Sequence, residues 1–149
     1  MRIGVRGDYR HWLVIVCALA LSACVATIAN YSAEAYKNAT ELKAETAGLV
    51  AKSNEPYSKH KAEVEALNVK VDAAYEYAAG LPNNDLSKQH WSLLRDESGL
   101  YGGFMKYWRD HNVVPDYLRQ QSGQQIAAAF DEIICLETIK QAPTKCTAK

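Results

Sequence analysis

Polar and apolar positions divide the chain into an uncharged leader and a series of helical stripes. From Trp12 to Ala29 no charged residue interrupts the run. Beyond it, small or apolar residues recur at alternating steps of three and four: Thr46, Val50, Ser53, Tyr57, Val64, Leu67, Val71, Ala74 and Ala78, with His60 as a polar interruption. This spacing places them on one side of a helix. The register passes through Pro56 without slipping, which predicts one long helix kinked at the proline, with a break into two helices as the alternative. The stripe is weakly apolar before Tyr57 and stronger after it, so the first part is expected to be a stalk and the second a core helix.

Gly80-Leu81-Pro82-Asn83-Asn84 combines a helix stop with a helix start. A short helix is expected through Leu86, His90, Trp91 and Leu94, ending at Asp96 to Gly99. Another should follow Gly102-Gly103, with Phe104, Tyr107 and Trp108 on one face and Asn112 closing it. Pro115 suits the first turn of a last helix over about 115–141. There Ile126, Ala129, Phe130, Ile133 and Ile134, widened by Cys135, Leu136 and Ile139, make an apolar face broad enough for several neighbours. The expected packing sets this helix against Tyr57–Gly80, with the two aromatic short helices as a lid. No segment alternates as a strand would, so the fold class is all-α, a small helical bundle. The expected divisions are a signal peptide at 1–23 (or a membrane anchor at 12–29), a membrane-proximal stalk at 24–45, a helical periplasmic domain at 46–141 and a flexible tail at 142–149.

Charge gives the leader its meaning. Arg2, Arg6 and Arg10 precede the uncharged run, the arrangement of an export signal, and the positive-inside bias sends the rest of the chain out of the cytoplasm. Setting aside those arginines and Asp8, the 17 basic and 17 acidic residues become 14 and 16. So near neutral a domain lacks the basic stripe that nucleic acid requires.

Within the run, Leu21-Ser22-Ala23-Cys24 resembles the lipobox of bacterial lipoproteins. The resemblance implies that Cys24 is diacylated, that the leader is cleaved before it, and that several acyl chains hold the mature N-terminus to the membrane. Val25 stands where many inner-membrane lipoproteins carry aspartate, which implies the outer membrane. The alternative is an uncleaved signal anchor, since about 18 residues at 1.5 Å each reach roughly 27 Å, enough to cross a bilayer.

Candidate chemistry is sparse. Cys135 and Cys146 are a candidate disulfide in an oxidising periplasm; otherwise Cys135 is a small buried residue and Cys146 a free or intermolecular thiol. His60, His90 and His111 have no second ligand at metal-binding spacing. Glu97-Ser98 lacks the downstream glycine-leucine-methionine-glutamine segment of lytic transglycosylases. Gly99, Gly102 and Gly103 suit turns and close packing. Trp91, Tyr101, Phe104, Tyr107, Trp108 and Tyr117, interleaved with Lys106, Arg109, Asp110 and Asp116, form either a glycan- or peptide-binding face or the core of a domain short of large aliphatics.

No acid, base and nucleophile set can be assembled, so a non-enzymatic binding or scaffolding component of the cell envelope is expected. Expected partners are the membrane, an envelope protein or peptidoglycan, and further copies of the chain; no nucleic acid, metal or cofactor is expected. The alternative is an inner-membrane spanin of a phage lysis system. That resemblance rests on the short leader, a helix beginning near Asn30-Tyr31, the total length and a cysteine near the C-terminus, and the aromatic middle segment departs from it.

Overall fold

The computed structural model of the protein describes residues 28–142, and every regular element among them is helical. Residues 1–27, which include the lipobox with Cys24, and residues 143–149, which include Cys146, lie outside the described residues.

The first helix, α1 (Ala33–Ala51), is capped by Ser32, whose Oγ accepts from the Ala35 N–H at 3.2 Å. It ends in a single tight turn, Lys52–Asn54. Pro56 then stands immediately before α2 (Tyr57–Gly80). Having no N–H, the proline cannot continue the ladder of α1, and the Ser53 hydroxyl draws off the Val50 carbonyl at 2.8 Å. The chain breaks and reverses here, so the kinked long helix gives way to the two-helix alternative. Lys52–Glu63 at 2.6 Å, Lys70–Glu45 at 2.7 Å and the Ser32–Tyr77 hydroxyl pair at 2.9 Å fix α1 and α2 as an antiparallel hairpin. The uninterrupted stripe across Pro56 is therefore two core faces met in succession.

Helices α3 (Asp85–Arg95) and α4 (Leu100–His111) follow one another along α2, both antiparallel to it. Arg95 pairs with Asp72 at 3.2 Å, and the Tyr101 hydroxyl donates to Asn68 Oδ1 at 2.6 Å. Together they make one interrupted arm. At the joint, a side chain on Gly102 would place its Cβ 2.3 Å from the carbonyl oxygens of both Arg95 and Asp96. Gly102 and Gly103 are thus absorbed into the first turn of α4, where Gly102 allows close approach to the end of α3, and the helix starts earlier than their composition suggests.

The last helix, α5 (Asp116–Gln141), returns antiparallel to α1 and to α3. Lys43–Asp131 at 2.5 Å marks the first pairing, and His90–Glu132 at 3.2 Å the second. The four arms, α1, α2, α3 with α4, and α5, form an up-down-up-down ring in which each packs on two neighbours. This places α5 diagonally across from α2 and corrects the expected pairing of the two.

It also corrects the stalk. Ala35, Ala39, Leu42, Thr46, Leu49 and Val50 of α1 are buried, and α1 supplies the most extensive neighbour of α5. Small residues on α1 let the two backbones approach, so the weak apolar stripe reflects close packing. Even Ala29, the end of the apolar stretch that begins at Trp12, is buried, with its N–H donating to Asn83 O at 3.1 Å.

The two ends of the bundle differ. At one, the α1–α2 and α4–α5 connections are joined by Tyr57 N–H to Asn112 O and Val114 N–H to Ser53 O, each 2.8 Å. The other gathers Ala29, the α2–α3 connection and the last turn of α5. None of the helices among the described residues is long and apolar enough to cross a membrane.

Candidate functional site: a groove between α2 and α4

Residues three and four apart on α2 bring Val64, Asn68 and Val71 to one face, and Tyr101 and Met105 oppose them from α4. Between them lies an open groove of about 170 Å³, rimmed by Asp72, Arg95, Glu97, Lys106 and Arg109. Its floor is mixed: Val64, Val71 and Met105 are apolar, while the Tyr101 phenol reaches Asn68. Burial, with smaller contributions from Asp72 and Tyr57, pushes the Tyr101 phenol well above its ordinary range. It therefore remains a hydrogen-bond donor at any physiological pH.

Each cation on the rim has a carboxylate beside it. Arg95 lies 4.0 Å over the Tyr75 ring while contacting Asp72. Lys106 is 3.3 Å from Glu97, and Arg109 Nε donates to Asp110 at 3.0 Å. That hydrogen bond to Asp110 is the largest cause holding the Arg109 guanidinium above its ordinary pKa. The groove thus offers paired charges and an apolar floor, a surface suited to recognition. A nucleophile with an adjacent base is not assembled there.

The six aromatic candidates do not share a surface. Trp91, Tyr101, Phe104 and Trp108 are buried, and Trp108 has no exposed area at all. Trp91 meets Phe130 edge-on at 5.9 Å, and Tyr57 meets Trp108 likewise at 5.6 Å. Tyr107 is half-buried and stacks on His111 at 3.9 Å. Tyr117 stands 71% exposed near the start of α5, away from the rest. The proposed aromatic binding face is thereby corrected: the interior takes four of the rings because they follow the inward stripes of α3 and α4. Of the six, Tyr101 lines the α2–α4 groove, while Phe104 and Tyr107 line a second hollow of about 240 Å³ between α4 and α5.

Two polar clusters were not expected from the sequence, although His60 stood out there as the polar interruption of its stripe. His60, on the inward stripe of α2, packs against Trp108 and lies between two carboxylates, with Nδ1 3.1 Å from Glu63 and Nε2 3.4 Å from Glu55. The second contact is close enough for an ion pair but not aligned as a hydrogen bond. Both carboxyls are held below their ordinary value, Glu55 chiefly by His60 and Glu63 chiefly by Lys52 with His60 next.

The other cluster lies at the opposite end. Lys140 Nζ is 2.5 Å from Glu137 Oε1, 2.6 Å from Asn84 Oδ1 and 3.0 Å from Ser87 Oγ, which itself donates to Glu137 at 3.1 Å. The side chains of this ion pair are only 4% and 1% exposed, and Glu137 Oε2 has no hydrogen-bond partner among the described residues. Ile126, Phe130, Ile133, Glu137 and Lys140 continue one stripe at steps of four and three. That spacing could have identified the pair, but charge at an inward position disguised it.

Cys135 is disulfide-bonded; Cys146, its candidate partner, lies outside the described residues. Among the described residues no three His, Cys, Asp or Glu side chains are grouped so as to hold a metal ion. No protein-family model matches the chain, and neither a curated protein nor a solved structure is significantly similar to it.

Proposed function

We propose that the protein is an exported, membrane-anchored lipoprotein whose four-armed helical bundle binds another component of the bacterial envelope without catalysis. The observation that carries the reading is the leader: three arginines, an uncharged run and Leu21-Ser22-Ala23-Cys24 at its end. The disulfide at Cys135 supports it, because such bonds persist in oxidising compartments outside the cytoplasm. With Cys24 acylated and Cys17 removed with the leader, Cys146 is the cysteine left to pair with Cys135. Val25 after the acylated cysteine favours the outer membrane.

The α2–α4 groove is the recognition surface of this reading, taking a segment of an envelope protein or peptidoglycan against its paired charges and apolar floor. A periplasm-spanning rod of the spanin kind is less well supported. The hairpin folds the helical segment back on itself, and the longest arm of the bundle, the 26-residue α5, reaches only about 39 Å.

Intact mass of the membrane-extracted protein, with and without Cys24→Ser, tests the anchor. The expected result is a diacylated or triacylated mass beginning at Cys24 that Cys24→Ser abolishes; an unmodified mass beginning at Met1 would replace the lipoprotein with a signal anchor. Lys106→Glu combined with Arg109→Glu tests the groove. The double variant should melt like the parent but lose its cross-linked envelope partner, and unchanged cross-linking would remove the groove from the proposal.

A further inference from the structure

We infer that the end of the bundle carrying the α2–α3 connection is a docking face for the lipid bilayer that anchors the chain. The inference rests on the membrane-anchor reading and adds an orientation to it. Ala29 is fastened to this end by its backbone bond to Asn83 and is buried there. From Cys24 to Ala29 is a span of five residues, which stretches to about 18 Å at most. An uncleaved anchor ending at Ala29 leaves less chain still. Whichever anchor is used, this end of the bundle is the one held next to the bilayer.

The side chains exposed there suit that neighbour. Ile28 is 66% exposed beside the α2–α3 connection, Pro82 is exposed within it, and Leu86 is 54% exposed in the first turn of α3. Tyr77 reaches Ser32 through its hydroxyl, and Tyr36 lies one turn along α1 from the same serine; both rings are partly exposed. Apolar tips with tyrosines set just behind them match the layering of a bilayer, whose interface favours the amphipathic tyrosine ring. The exposed charges of this end among the described residues, Glu34, Lys37, Glu76, Asp85 and Lys88, sum to only −1 and include no basic excess. The attraction is therefore through apolar burial at the headgroup boundary, and zwitterionic lipid should suffice. Exposed apolar residues also occur at the far end, among them Val113 and Tyr117, but no anchoring segment enters there.

The test uses the full anchored protein reconstituted into phosphatidylcholine vesicles carrying bromine on the upper acyl chain. Leu86→Trp and, as a second probe at the same end, Pro82→Trp are compared with Val113→Trp at the far end. Emission is read as the difference from the parent protein, and each variant is first shown to melt like the parent. Loss of the added emission at positions 82 and 86, with full emission at 113, is the expected result. A protein that floats with the vesicles while no probe is quenched would overturn the docking face and leave the anchor standing. Equal quenching at both ends would overturn the orientation by showing a bundle lying flat. Failure to float with the vesicles would overturn the anchor and the docking face together.

Discussion

Trp108 shows how one side chain can join three parts of the bundle. It is fully buried, its indole N–H donates to the Glu55 carbonyl at 3.0 Å, and its ring meets both Tyr57 and His60. Trp108→Ala should therefore lower stability by about 3–5 kcal/mol, read from urea unfolding, as truncation of buried tryptophan generally does. Trp108→Phe should recover part of the loss while leaving the Glu55 carbonyl without that donor. The neighbouring carboxylates predict a pH effect. Glu55 and Glu63 sit below their ordinary value of 4.5 in the folded protein, so the unfolded chain binds more protons as acid is added. Their contribution is complete above pH 4.5 and is lost as pH falls through the lowered values. In His60→Leu, which keeps the packing on Trp108, melting temperature should fall less steeply below pH 4.5 than in the parent; an identical acid limb would show that His60 does not set it.

At the scale of the helix, two glycines should respond in opposite directions. Gly48 faces open space within α1, so Gly48→Ala should stabilise by about 0.5–1 kcal/mol through helix propensity. Gly102→Ala should destabilise by about 1–3 kcal/mol despite the same propensity, because its methyl would strike the backbone at the end of α3. Chemical denaturation of the two variants separates the effects. The helices themselves were legible from three-and-four spacing, and so were most of their stops at Gly80, Asp96 and Asn112. The stripe could not reveal the reversal at Pro56, because the same phase resumes on α2. Nor could it reveal which helices adjoin: an inward face says that a helix is covered, whereas loop direction decides by what. The role of α1 was hidden by its composition, since Ala35, Ala39 and Thr46 carry little hydrophobic signal yet occupy a tight interface. Likewise, the aromatic density was visible around Trp108, but its inward direction depended on how α3 and α4 share one arm. The groove was missed because half of it comes from Asn68 and its neighbours on α2, distant in sequence.

For the whole molecule, α1 decides whether a bundle exists. A chain beginning at Ile28 should give a cooperative helical melt by circular dichroism. Removal of residues 1–45 should abolish that melt, because it strips Ala35, Ala39 and Leu42 from the core and uncovers α5. A cooperative melt in the shorter chain would mean that three arms suffice. If the chain is exported as proposed, the pairing of α1 with α5 also governs timing during export. Lys43 and Asp131, which mark that pairing, are 88 positions apart, whereas the other arms meet partners nearer in sequence. A chain threaded outward from its anchored end delivers α1 first and its partner last. In that reading the first helix waits at the translocation exit with its α5-facing side uncovered until almost the entire chain has emerged, an interval in which a periplasmic chaperone would find its binding surface.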